Sequence, residues 1–155
     1  MDAHRIKILR NVYQKLDGMT LSFGMPAYSE NLTDDDFERY IGMSLTDTLR
    51  ELRLTDLSSI EEMSPAEYHI ENRCVYHKLR SLRNSASIFF KFSTAVDGKT
   101  VDKSMIPKMI NEMIKEYDGE WKGWLANGGM TGNTASATWS RTPSEGTSWY
   151  RGFNE

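Results

Sequence analysis

Apolar residues recur every three or four positions through most of the chain, and the stretches where that rhythm fails mark the joints between elements. Ile6, Leu9, Val12, Tyr13 and Leu16 share one side of a helical projection, which predicts a helix from about Ala3 to Leu16 ended by Asp17-Gly18. Met19 to Leu32 has no period and carries Gly24, Pro26 and Ser29, so it is expected as a loop whose Leu21, Phe23, Met25 and Tyr28 pack on the body. Thr33 followed by Asp34-Asp35-Asp36 is a helix start, because a hydroxyl cap and early acids satisfy free N–H groups and oppose the positive end of the dipole. Phe37, Ile41, Leu45, Leu49 and Leu52 then supply an amphipathic stripe.

Thr55 to Met63 reads as a connection. Ser64-Pro65-Ala66-Glu67 opens a long helix: serine as cap, proline at the first helical position, glutamate placed to return to the cap's own N–H. Tyr68, Val75, Leu79, Leu82, Ala86 and Phe89 form its predicted apolar face, opposite Arg73, His77, Arg80, Asn84, Ser87 and Lys91. Asp97-Gly98 between Thr94-Ala95-Val96 and Lys99-Thr100-Val101 predicts a short β-hairpin, since Asp-Gly tolerates the positive φ of a tight turn. Ile106, Met109, Ile110, Met113, Ile114, Tyr117, Trp121, Trp124 and Leu125 predict a last amphipathic helix, with Pro107 tolerated near its start and Asn127-Gly128-Gly129 stopping it. The fold class expected is mainly α: a small bundle of about four helices with one short β-hairpin, in a domain spanning residues 1–127.

Residues 128–155 change character. Gly, Ser, Thr and Asn dominate, the charges of Arg141, Glu145, Arg151 and Glu155 cancel, and no period survives. Such a segment is expected to be an extended arm that folds on a partner, with Trp139, Arg141, Trp149, Tyr150, Arg151 and Phe153 as partner-binding residues, because aromatics and arginine bury much area with few rotors.

Composition narrows the function. With 155 residues and 39% apolar content the chain has room for one core. A net charge of -3 argues against a surface built throughout to neutralise nucleic-acid phosphates. The longest purely apolar runs, such as Ile88-Phe89-Phe90, fall far short of the roughly 20 residues needed to span a bilayer, so no membrane partner is expected. Met1-Asp2-Ala3-His4-Arg5 leads into no apolar run of the secretory kind, and cytoplasmic synthesis is expected. Cys74 is the single cysteine, which excludes an internal disulfide and a multi-cysteine zinc site.

Local chemistry points away from catalysis. His69 and His77 stand about two helical turns apart, too far to share a metal. Cys74 has His77 three residues on but falls beside the apolar face, as a small core residue would. The triple aspartate lacks the glycine and terminal glutamate of a calcium loop, and Gly128-Gly129-Met130-Thr131-Gly132 lacks the lysine of a phosphate loop and follows a helix. No cofactor, metal or enzymatic activity is expected. The stripe Arg73, His77, Arg80 and Lys91 is a candidate subunit or channel face, or alternatively the basic face of a small helical nucleic-acid-binding regulator.

The stretch from Tyr76, Leu79, Ser85, Ala86, Phe89 and Phe92 through Val96-Asp97-Gly98-Lys99-Thr100-Val101 and Asp102-Lys103-Ser104 with Pro107, to a helix ending Met113-Ile114-Lys115-Glu116-Tyr117, resembles the head-to-tail connector, or adaptor, proteins of tailed double-stranded DNA bacteriophages. The acidic helix start at Thr33 to Phe37 fits the same pattern, and the resemblance covers about residues 33–125. It implies a helical bundle assembled as a ring, usually of twelve copies, in the head-to-tail neck of a virion. Its implied partners are the portal protein, the stopper or tail-completion protein and further copies of itself, with DNA only as passing cargo. The C-terminal arm is implied to dock on the portal.

Overall fold

A computed structural model describes residues 2–20, 22, 24–89, 94–96, 99–101 and 105–131. Four α-helices carry the fold: α1 (Ala3–Gly18), α2 (Asp34–Glu51), α3 (Pro65–Phe89) and α4 (Met105–Ala126), followed by a 3-10 turn at Gly129–Thr131. Between α3 and α4 the short strands β1 (Thr94–Val96) and β2 (Lys99–Val101) run antiparallel with Thr94 opposite Val101. The Asp97-Gly98 turn expected between them lies outside the described residues, as does the arm from Gly132 onwards. The chain divides into two compact units, Met1–Trp121 and a second from Lys122.

The core of the first unit forms where α1, α2 and α3 meet pairwise. On α1, Ile8 joins Ile6, Leu9, Val12, Tyr13 and Leu16 in burial, which widens the predicted stripe because both other helices pack on this one. α2 contributes Phe37, Ile41, Leu45 and Leu49, and α3 contributes Ile70, Val75, Leu79 and Leu82. The α1–α2 seam is aromatic: Tyr13 meets Phe37 edge-on at 5.4 Å and Tyr40 at 6.0 Å between centroids. In the loop after α1, Met25 is buried, Tyr28 lies 6.4 Å from both Tyr13 and Phe37, and the Tyr13 hydroxyl donates to the Pro26 carbonyl. The loop therefore does pack on the body, while Leu21 and Phe23 fall outside the described residues. In the later connection Leu57 and Ile60 are buried within turns.

Helix ends follow the sequence at the start of α2 and depart from it at the end of α1 and, in one hydrogen bond, at the start of α3. Thr33 and Asp36 form a reciprocal box: Asp36 N–H donates to Thr33 Oγ1 at 3.2 Å, and Thr33 N–H donates to Asp36 Oδ2 at 2.9 Å. α1, however, runs through Gly18 rather than stopping before it. Met19 N–H donates to Lys15 O, and the left-handed step falls on Thr20, with φ 54°. α2 likewise ends with Arg53 at φ 59°, and Leu54 N–H reaches back to Leu49 O at 2.9 Å. At α3, Ser64 Oγ accepts from Glu67 N–H at 3.2 Å as expected, but Glu67 accepts from Met63 N–H, one residue before the cap. Met63 consequently takes the positive φ of 61°.

Two substitutions separate core from cap. Leu9→Ala, at a fully buried position, is expected to lower unfolding free energy by about 3 kcal/mol, and Thr33→Ala by about 1 kcal/mol. Urea titrations followed by circular dichroism measure both, and equal losses would refute this ranking.

Candidate functional site

The polar face expected along α3 turns inward at Arg73. Its side chain is only 7% exposed, because α2 and the end of α4 cover it. Nε and Nη2 donate to the two oxygens of Glu51 at 2.7 and 2.8 Å, and Nη1 donates to Asp118 Oδ1 at 2.9 Å. The guanidinium carbon lies 3.8 Å from the Tyr76 ring centroid and 5.1 Å from that of Trp121. Planarity lets one arginine do all of this, with a fork for carboxylates in its plane and faces for aromatic rings. Glu51 closes α2, where the helix dipole is negative, so its carboxylate needs a cation. Burial pushes the Glu51 carboxyl up, yet Arg73 and His77 hold it below its ordinary range. Burial likewise opposes the charge on Arg73, and its carboxylate partners more than restore it.

His77 belongs to the same group, with Nε2 3.2 Å from Glu51 Oε1. Arg80 is exposed and its Nη1 donates to the Tyr76 hydroxyl at 3.4 Å. Lys91 lies outside the described residues. The expected stripe thus separates: Arg73 and His77 bind within the chain, and Arg80 alone of the described three faces solvent. Tyr68, expected on the apolar face, is 55% exposed.

A second polar centre joins α1 to the start of α3. Glu67 is buried, and it contacts His4 Nε2 at 2.5 Å and accepts from Lys7 Nζ at 3.2 Å and Met63 N–H at 3.1 Å. Burial raises its carboxyl, but these partners outweigh it and hold the group below its usual range. Glu62 completes a His4, Glu62, Glu67 group whose ligand atoms lie within 4.8 Å of one another. Such a group has the donor types for a divalent cation, but the Lys7 ammonium already contacts both carboxylates and a metal would have to displace it. No local motif announced this centre, because its members are up to 63 residues apart.

Cys74 is buried as expected. Its thiol is pushed up to about 12 by burial and lies 3.6 Å from Thr48 Oγ1, which removes it as a nucleophile near neutral pH. An open cleft of about 400 Å³ is lined by Lys15, Tyr68, Asn72, Glu116, Tyr117 and Glu120. Lys15 Nζ donates to Asn72 Oδ1 at 3.0 Å and lies 5.5 Å from the Tyr68 centroid. Burial, then the charges of Glu120 and Glu116, raises the Tyr117 hydroxyl. Sequence periodicity assigned both tyrosines to apolar faces, and only the helix arrangement brings them to one cleft. The expected partner-binding residues Trp139, Arg141, Trp149, Tyr150, Arg151 and Phe153 lie outside the described residues.

No protein-family model, curated protein or solved structure matches the chain.

Arg73→Ala leaves two carboxylates facing each other without their cation. Full burial of such a broken pair costs 3–5 kcal/mol, but Glu51 and Asp118 retain 34% and 25% exposure, so a loss of about 2 kcal/mol is expected by urea denaturation. Acid titration tests the carboxylates themselves. Glu51 and Glu67 sit below their unfolded value of about 4.3, so their contribution is complete above that pH and disappears as pH falls through the lower folded values. Glu67→Gln is expected to flatten the fall in melting temperature between about pH 5 and 3. An unchanged slope would remove Glu67 from this account.

Proposed function

We propose that the chain is a structural virion protein, a phage neck adaptor whose copies form a ring joining the capsid portal to the stopper or tail and extending the DNA channel. The observation that carries the reading is the order of helices over the stretch that bears the family resemblance. An acid-capped α2, a proline-started long α3 and then α4 follow one another from Asp34 to Ala126. Among the described residues the conspicuous polar side chains serve the packing of the bundle. Cys74 is inert near neutral pH, and Arg73, Glu51 and Asp118 bind one another. Met43 and Met109 are 73% and 54% exposed, a surface suited to contacts between copies.

In this role the bundle forms the wall and the C-terminal arm forms the anchor, its aromatic residues and arginines, Trp149, Tyr150, Arg151 and Phe153 among them, engaging the portal. A ring strengthens such an anchor, because once one arm is seated its neighbours bind at high effective concentration. The nucleic-acid-binding alternative is less well supported, since Arg73 and His77 are engaged with Glu51 and only Arg80 of the described basic stripe is open.

Truncation after Asn127 tests the role. The shortened protein is expected to keep its helical circular dichroism and to fail to join portal-bearing heads, as seen by electron microscopy. Normal joining by the truncated chain would sink the arm assignment.

A further inference from the structure

Two features remain without a role: the acidic, tyrosine-walled cleft, and a short sequence that the arm contains twice. Thr138-Trp139-Ser140-Arg141 and Ser148-Trp149-Tyr150-Arg151 share the pattern hydroxyl, tryptophan, any residue, arginine, ten positions apart. In an extended backbone, residues two apart project to the same side, so each segment offers an indole and a guanidinium together.

The cleft has the complementary chemistry. Tyr68 and Tyr117 supply aromatic walls, and Tyr68 is largely exposed. Glu116 and Glu120 stand one helical turn apart on α4, both exposed, and among the described residues neither forms a salt bridge. Like charges at that spacing repel each other, and a guanidinium between them would relieve the repulsion while making charge-assisted hydrogen bonds. The one cation lining the cleft, Lys15, is directed to Asn72 and the Tyr68 ring. Together the six lining side chains carry two acids against one base, and the segment carries one base with no acid.

We propose that this cleft binds the Thr138-Trp139-Ser140-Arg141 segment of a second copy of the chain. Trp139 lies between the two tyrosines and Arg141 between the two glutamates. Choosing a second copy rests on the ring reading, in which a cleft and an arm on every protomer make a head-to-tail contact that closes on itself. The nearer repeat is assigned because Trp139 stands only eight positions after Thr131, a reach of at most about 28 Å. Ser148-Trp149-Tyr150-Arg151 and Phe153 are thereby left for the portal.

Sedimentation velocity of the full-length chain across a concentration series tests the contact. Glu116→Lys with Glu120→Lys, and separately Trp139→Ala with Arg141→Ala, are each expected to weaken self-association at least about tenfold, as loss of a central aromatic and arginine does at other interfaces. Trp149→Ala with Arg151→Ala is expected to leave it unchanged. All these positions lie on the surface or in the arm, and circular dichroism checks that each variant keeps its helices. Mixing the cleft variant with the nearer-repeat variant supplies one intact cleft and one intact arm, so pairs are expected to form and to grow no further. A wild-type chain that stays monomeric, variants that associate normally, or a mixture that forms no pairs would overturn the proposal, the last also being the signature of an arm seated on its own chain. Electron microscopy of heads keeps the two readings apart. If the Trp139→Ala, Arg141→Ala chain still builds complete necks, the cleft contact is refuted and the adaptor role stands. If wild type associates through the cleft but never joins heads, the contact stands and the adaptor role fails.

Discussion

One guanidinium holds three helices in register. Arg73 sits about two turns into α3, grips the last residue of α2 with two hydrogen bonds and reaches Asp118 on α4 with a third. Hydrophobic burial gives α1, α2 and α3 their cohesion, but burial is non-directional and tolerates sliding. A forked donor between two fixed carboxylates does not. Its desolvation cost is offset because both carboxylates and two aromatic faces meet the charge together, and His77 adds a further contact to Glu51. The attachment of α4 to the bundle therefore has a polar centre, and α4 can remain apolar elsewhere on its surface, as exposed Met109 illustrates.

Glu67 plays the matching part in the first turn of α3. It ties His4 and Lys7 of α1 to the first turn of α3 and fixes the left-handed Met63 just before it. The first turns of the helix are thus pinned by charged groups at Glu67 and Arg73, with Ile70 buried between them and Val75 and Leu79 buried beyond. A glutamate buried alone would be costly, and here Glu67 has His4, Lys7 and the Met63 N–H as partners.

The parts of this arrangement that could be read from sequence are those whose causes are local. The α2 cap needs only Thr33 and Asp36, and the stripes of α1 and α2 need only helical spacing, so both were legible. Gly18 misled because a glycine can stay helical when neighbouring amides already have partners; Thr20 took the left-handed position instead. Arg73 misled for a different reason. A helical projection assumes one buried side, whereas every residue from Ile70 to Tyr76 is buried, since α3 is covered from more than one direction. The partners of Arg73 are 22 and 45 residues away, beyond any local pattern. The cleft has the same origin, drawing Lys15, Tyr68 and Tyr117 from three helices.

Cys74 has a practical meaning beyond its inertness. It is the chain's single thiol, fully enclosed beside Thr48 where α2 and α3 meet. An alkylating reagent can reach it only when those helices part, so the rate of labelling would follow the opening of the bundle itself. The molecule carries its own clock for that event, read by the rate at which one thiol is consumed.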